Sequence, residues 1–102
     1  MYTIIETLKF EQESKKIWDE DERLAFFTYI SQNPKIGDVI QHGKGVRKVR
    51  WHYQGRGKRG GVRVLYFNVL QAGFILMIDI YCKSEKENIS DKDLKKLMEL
   101  TK

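Results

Sequence analysis

The stretch VRKVRWHYQGRGKRGGVRVLYFNVLQAGFILMIDIYC, residues 46–82, alternates segments of strand-like hydrophobicity with short glycine-containing connections. Residues 46–53 place apolar and cationic side chains alternately, which predicts a strand with one wet face. Residues 62–69 and 74–82 are mostly apolar on both faces, as buried strands are. Their connections are too short to hold crossover helices, so the three strands should form an antiparallel meander.

Segments on either side of this meander complete an α+β fold. Residues 2–10 are rich in β-branched and aromatic side chains and predict a first strand, and residues 11–17 predict a short helix. Near the C-terminus, Ser90 and Asp93 fit a capping box that begins a final helix. The predicted order is a strand, two helices, a three-stranded antiparallel meander and a C-terminal helix, in a single domain spanning residues 1–102.

The longer of the two helices before the meander has clear start and stop signals. Asp19 and Glu22 form a capping box, and the pair Asn33–Pro34 ends the helix because the residue before proline avoids the α conformation. Three apolar residues recur at helical spacing and should face the core: Leu24, Phe27 and Ile30.

Composition is that of a globular protein, with 41% hydrophobic and 32% charged residues in a chain of 102. The single Cys82 excludes an internal disulfide and a multi-cysteine zinc site, and its apolar surroundings predict a buried thiol. No apolar stretch approaches the ~20 residues that span a bilayer, and no signal peptide is recognisable. We therefore expect a soluble cytoplasmic protein, without a metal or cofactor.

Positive charge is concentrated in the middle of the chain. The net charge is +5, yet no acidic residue lies between Asp38 and Asp79. Eight cations fall in that interval: Lys44, Arg47, Lys48, Arg50, Arg56, Lys58, Arg59 and Arg63. The rest of the chain has 11 cations against 14 acids. Such asymmetry favours a face that binds a polyanion, although a solvated basic surface without a partner is the simpler alternative.

A cationic hairpin loop precedes the second strand of the meander. Its four glycines, within residues 55–61, let the backbone bend and approach a ligand, and Arg56, Lys58 and Arg59 suit phosphate groups. Arg63 follows on the apolar strand, where it should be held rigidly and could stabilise negative charge on a bound phosphate. The alternative is a structural Arg63 that pairs with Asp79 on the neighbouring strand. The glycine spacing matches neither a P-loop nor a dinucleotide-binding motif.

The segment GVRKVRWHYQGRGKRGGVRVLYF, residues 45–67, followed by IYCKSEKENIS, residues 80–90, resembles the RelE/HigB superfamily of bacterial toxin–antitoxin toxins. The resemblance covers nearly the whole chain, including the order of the elements. It implies a ribosome-dependent endoribonuclease that enters the ribosomal A site and cleaves mRNA. It also implies a cognate antitoxin protein that neutralises the toxin.

The reaction implied by this resemblance is attack of a ribose 2′-hydroxyl on the adjacent phosphate, which needs a base, an acid and a charge clamp. The transition-state arginine of the family matches Arg63, and its two basic residues on the preceding strand match Lys48 and Arg50. A later basic residue of the family falls near Lys83. Because a guanidinium stays protonated, the base is expected to be Lys48 or His52.

Contacts to RNA and ribosome are expected from further basic residues and one aromatic residue: Lys44, Arg47, Arg56, Lys58, Arg59 and Tyr81. Tyr81 could stack on a base or ribose, or could simply pack in the protein. Two other functions remain open. One is a non-catalytic RNA- or DNA-binding module that uses the same face, and the other is a ParE-like toxin of the same fold that poisons gyrase. The basic hairpin and the Lys48 and Arg50 face favour RNA cleavage over gyrase poisoning, and a rigid Arg63 among apolar neighbours favours it over the non-catalytic module.

Overall fold

The structure is a computed structural model, and it describes residues 2–51 and 61–82. The elements of this part are β1 (Thr3–Glu6), α1 (Leu8–Ile17), α2 (Glu20–Gln32), β2 (Asp38–Val39), β3 (Arg47–Trp51), β4 (Val62–Val69), a 3₁₀ turn (Leu70–Ala72) and β5 (Phe74–Cys82). The described strands form one sheet in the order β1-β5-β4-β3-β2. β1 runs parallel to β5, and the other neighbours are antiparallel. The predicted α+β class is confirmed.

The meander is the part of the fold that the sequence predicted best. β4 and β5 begin and end at the predicted residues, and the turn between them closes at Gly73, whose φ of 87° suits glycine. β3 is described as far as Trp51. The predicted continuation of this strand through residues 52 and 53, and the predicted helix beginning at Ser90, lie outside the described residues.

The first strand is shorter than predicted, and the first helix begins earlier. β1 ends at Glu6 because Thr7 caps α1: its Oγ1 accepts a hydrogen bond from the Phe10 amide at 3.1 Å. The same hydroxyl donates to the Ile78 carbonyl at 3.0 Å, which ties the start of α1 to β5. The prediction of strand over residues 2–10 was therefore wrong beyond Glu6.

The second helix has the predicted ends, and two of its three predicted core residues face the core. Asp19 Oδ1 accepts a hydrogen bond from the Glu22 amide at 2.9 Å, and α2 ends at Gln32, just before Asn33–Pro34. Ile30 is fully buried and Phe27 packs against the core, as predicted. Leu24 is instead 50% exposed, and Phe26, which was not predicted, is fully buried. The face of α2 that contains Phe26 is buried against the sheet, because the Phe26 ring packs against the Trp51 ring of β3 with centroids 5.3 Å apart.

The helices cover one side of the sheet. The main core lies between them and combines helix residues such as Phe10 and Phe26 with sheet residues such as Val64 and Met77. A smaller apolar cluster lies on the opposite side of the sheet and consists of Val46, Leu65, Ile78 and Tyr81. Among the described residues, neither helix is long and apolar enough to cross a membrane.

The short strand β2 was not predicted, and Tyr66 explains how the chain reaches it. The Tyr66 hydroxyl donates to the Pro34 carbonyl at 2.8 Å and accepts from the Gly37 amide at 2.9 Å. A Cβ atom at Gly37 would come within 2.8 Å of that hydroxyl, so only glycine fits there. These contacts bring the chain after α2 alongside β3.

Candidate functional site

Three side chains stand in one row on the side of the sheet that faces away from the helices. Arg50 of β3 is the direct cross-strand partner of Arg63 of β4, and Arg63 is the direct partner of Tyr81 of β5. Direct partners in an antiparallel pair have Cβ atoms about 4.5–5.5 Å apart, so their side chains meet. The row brings together two predicted catalytic residues and one predicted RNA-binding residue.

Lys48 lies in the next row of the same side. It is the direct partner of Leu65 on β4 and of Asp38 on β2, and Leu65 is in turn the partner of Asp79 on β5. Arg50 is exposed and Lys48 is half-buried, whereas the intervening Val49 faces the helices. The predicted wet face of this strand is therefore confirmed, and we call the side that carries Lys48, Arg50 and Arg63 the cationic face.

A β-bulge in β5 brings Tyr81 to the cationic face. Leu65 pairs with Asp79 but the next residue, Tyr66, pairs with Met77, so Ile78 is an extra residue in β5. The alternation of β5 reverses there: Met77 faces the helices before the bulge, and Ile80 does so after it. Bulges occur often beside active sites because they re-aim side chains. Without this one, Tyr81 would point toward the helices.

Arg63 is buried, as the sequence predicted, with only 6% of its surface exposed. Burial lowers the pKa of its guanidinium, and the positive charge of Arg50 lowers it further, whereas Tyr81 acts in the opposite direction. Arginine nevertheless remains charged at any physiological pH. The sheet thus holds a desolvated guanidinium beside a second one, an arrangement that favours binding of an anion.

Asp79 is the buried acid of this region, with 3% of its surface exposed. Its Oδ2 forms an ion pair with Lys9 Nζ of α1 at 3.3 Å, and its Oδ1 accepts the amide of Ile80 at 2.9 Å. In the strand register it stands opposite Leu65 rather than Arg63. Nothing in the sequence pattern pointed to Lys9 as its partner, since the two residues are 70 positions apart.

Tyr81 is 6% exposed, so its ring offers little surface on which an RNA base could stack. It belongs to the apolar cluster with Leu65 and Ile78. Burial raises the pKa of its hydroxyl, the charge of Arg63 opposes this shift, and Asp79 adds to it. These surroundings favour a role in supporting Arg63 from beside it.

The other predicted site residues lie away from the Arg50–Arg63 pair or outside the described part of the chain. Arg47 faces the helix side of the sheet, where its Nη1 donates to the carbonyls of Gly37 at 2.7 Å and Lys35 at 3.3 Å. Lys44 is exposed in the turn before β3. Cys82 is fully buried with a free thiol, as predicted. The remaining predicted residues lie outside the described part of the chain: His52, Arg56, Lys58, Arg59 and Lys83.

The described side chains suit binding of a phosphate and stabilisation of its charge. Two guanidinium groups and one ammonium group share one face, and arginine can donate two parallel hydrogen bonds to phosphate oxygens. Within residues 2–51 and 61–82, no group of three His, Cys, Asp or Glu side chains could hold a metal ion.

Comparison with known proteins gives a consistent result. A family model described as the RelE toxin of the RelE/RelB toxin–antitoxin system matches residues 4–102. The structure of a mutant of the E. coli toxin RelE in the free state has a TM-score of 0.62 and 12% identity, and the match covers 84% of this chain and 87% of that one. A chain of the intact E. coli RelBE toxin–antitoxin complex has a TM-score of 0.59 and 13% identity, and the match covers 78% of this chain and 94% of that one. At such identities these structures establish likeness of fold.

Proposed function

This chain belongs to the RelE toxin family, and we propose that it is an endoribonuclease that cleaves mRNA in the ribosomal A site during translation. The observation that carries the proposal is the direct opposition of Arg50 and Arg63 on the cationic face. Arg63 would be the residue that stabilises the transition state, and Arg50 would bind the same phosphate from the solvent side.

The electrostatics of this pair support phosphate binding. Like charges directly opposite each other across two strands are destabilising, and Arg63 is in addition desolvated. A phosphate between the two guanidinium groups would turn this repulsion into attraction. Because the extra negative charge of the phosphorane develops at the same place, donors fixed there act more strongly on the transition state than on the substrate.

The proposed reaction begins with attack of the ribose 2′-oxygen on the adjacent phosphorus. The bond from phosphorus to the 5′-oxygen then breaks, which leaves a 2′,3′-cyclic phosphate and a 5′-hydroxyl. A base takes the proton of the 2′-hydroxyl, and an acid supplies the proton of the 5′-hydroxyl. Lys48 lies one row from Arg50 and is our candidate base on the described part of the face, with His52 as the alternative. Lys83 is the further basic residue that the family resemblance implies for catalysis.

The proposal includes two partners. The described residues of the cationic face include no strong acid–base pair, so catalysis would depend on the ribosome to hold the RNA in a reactive geometry. Lys44, Arg56, Lys58 and Arg59 would contact phosphates there. The second partner is a cognate antitoxin, by analogy with the E. coli RelBE complex. A single domain over residues 1–102 that acts on translating ribosomes would work in the cytoplasm.

Primer extension on a translated message tests this function. The protein is expressed from an inducible promoter beside a reporter mRNA and beside the same mRNA without its start codon. We expect growth arrest and new 5′ ends in the translated message alone. Equal cleavage of both messages would indicate a ribosome-independent nuclease. Growth arrest without any cleavage would favour a target such as gyrase.

A further inference from the structure

The connection between β2 and β3 is built from two consecutive tight turns, which together we call the double turn (residues 40–46). The Gly43 amide donates to the Ile40 carbonyl at 3.0 Å and closes the first turn, and the Val46 amide donates to the Gly43 carbonyl at 3.1 Å and closes the second. The Ile40 amide also donates to the Val46 carbonyl at 2.9 Å, which joins the two ends. The double turn is therefore a closed, hydrogen-bonded unit.

Two of its residues hold a left-handed backbone that glycine or asparagine would adopt more easily. His42 has φ of 64° at the third position of the first turn, and Lys44 has φ of 53° at the second position of the second turn. Turns with positive φ at these positions strongly favour glycine, asparagine or aspartate there. Strain of this kind persists where the surroundings impose it, and it clusters at functional sites.

Packing of the strained side chains does not explain their presence, since both His42 and Lys44 are exposed. The neighbouring residues fix the double turn instead. Val46 belongs to the apolar cluster of the cationic face and Ile40 packs against it. At Gly45 a Cβ atom would come within 2.9 Å of Cε1 of Phe67, so the backbone lies directly on that ring. An imidazole and an ammonium group are thus held outward by a turn attached to the cationic face.

The double turn directly precedes β3, so it lies near the end of this strand opposite to Arg50. The four steps from Val46 to Arg50 span about 13 Å, at roughly 3.3 Å per residue of an extended chain. Lys48 lies between them with Asp38 opposite it on β2, so its charge is partly balanced. Lys44 therefore supplies an exposed ammonium group, and His42 an exposed imidazole, in the turn that precedes β3.

We propose that the double turn is a second RNA-binding site, where His42 and Lys44 bind the backbone of single-stranded RNA a few nucleotides from the phosphate at Arg50 and Arg63. The RNA as ligand rests on the proposed function, whereas the site itself rests on the strained turn. The left-handed backbone at His42 and Lys44 makes the fold less stable, and packing does not compensate because both side chains are exposed. We therefore expect these side chains to have a role in binding a polyanion.

A variant that relieves the strain and removes the donors tests this inference. The purified full chain is compared with the double variant His42→Gly/Lys44→Gly. The probe is a fluorescent single-stranded RNA of about 12 nucleotides with 2′-O-methyl riboses, which cannot be cleaved because the nucleophile is blocked. We expect the variant to melt a few degrees higher, ~2–5 °C. Its RNA affinity should fall about three- to ten-fold, and the slope of log K against log salt should decrease by ~0.7 for each lost phosphate contact.

Two matched control variants test whether the positive charge, the left-handed backbone and the position of the cation matter for RNA binding. Lys44→Arg keeps the cation and the left-handed backbone, so it should retain RNA affinity. Lys16→Ala removes an exposed cation of α1, and it should leave both affinity and salt slope unchanged. Unchanged affinity in the double glycine variant would overturn the inference, and so would a lower melting temperature or a wild-type chain that does not bind the probe. Because the probe cannot be cleaved, failure of the proposed nuclease activity would be a separate result.

Discussion

Arg50 and Arg63 lie directly opposite each other across β3 and β4, the first exposed to solvent and the second buried to 6% exposure. The register of the two strands imposes this pairing of like charges, because β3 and β4 pair residue by residue from Arg47 to Trp51. Like charges directly opposite each other in a sheet are destabilising, and an anion bound between the guanidinium groups would offset this repulsion. Removing the repulsion between the two arginines should therefore raise the stability of the fold and lower the activity.

Removing the exposed member of this pair should stabilise the protein. We expect Arg50→Gln to raise Tm by about 1–5 °C at low salt, since the repulsion across the strands is lost. The gain should shrink as salt screens the charges. Lys48→Gln is the matched control, because Lys48 faces Asp38 and its removal relieves no such repulsion. Thermal melts of the three proteins would contradict the account if Arg50→Gln melted below wild type.

The Tyr66 hydroxyl should matter for stability but not for activity. Tyr66→Phe removes the bond to the Pro34 carbonyl and leaves the buried Gly37 amide without its acceptor. An unsatisfied buried group typically costs about 1–3 kcal/mol. The Pro34 carbonyl still accepts from Asn68 Nδ2 at 2.8 Å, so the loss should not exceed this range. Urea denaturation measures it, and a variant as stable as wild type would refute the assigned role.

The same residue predicts a dependence on alkaline pH. Burial raises the pKa of Tyr66, whereas an unfolded chain releases a tyrosine proton near pH 10. Above that pH the folded state binds more protons than the unfolded state, so the free energy of unfolding falls as pH rises. The fall should be less steep in Tyr66→Phe. Urea denaturation between about pH 9 and 11 would contradict this if both proteins showed the same dependence.

The ion pair between Lys9 and Asp79 should stabilise the bulged part of β5. Lys9→Met removes the cation beside the buried carboxylate, which keeps its hydrogen bond from the Ile80 amide, whereas Asp79→Asn retains an oxygen for that amide. We expect Lys9→Met to cost far less in the Asp79→Asn background, with a coupling of about 0.5–3 kcal/mol.

Lys15→Met is the control for that double-mutant cycle. Lys15 pairs with Glu11 at 3.6 Å on the exposed surface of α1, where an ion pair contributes little. Additive effects of the Lys9 and Asp79 substitutions would show that their contact does not stabilise the fold.

The sequence was sufficient for those features that depend on local pattern. Alternation of apolar and cationic residues identified β3 and its wet face, and continuous apolar runs gave the bounds of β4 and β5. Asp19 predicted the start of α2, because the side chain of an N-cap residue binds a backbone amide within one turn of the helix. The buried Arg63 could be recognised for a similar reason, as a cation within an apolar strand.

The remaining features depend on contacts between distant residues. Thr7 ends β1 and starts α1 partly through the carbonyl of Ile78, which no local pattern of the first ten residues reveals. The bulge that turns Tyr81 toward Arg63 arises from the register of β4 and β5. Arg47 follows the same cationic pattern as its neighbours, yet its position in the strand directs it to the helix side. The left-handed backbone at His42 is likewise a property of the closed turn.

The most direct test of the central claim is the rate of mRNA cleavage by Arg63→Ala on programmed ribosomes. The account predicts a loss of ~10²–10³ in rate, with a circular dichroism spectrum and a melting transition that show a folded protein. Arg63→Lys should recover little of the rate, because an ammonium group lacks the two-pronged geometry of a guanidinium. A folded Arg63→Ala protein that cleaves within a few-fold of the wild-type rate would contradict the claim that Arg63 stabilises the transition state.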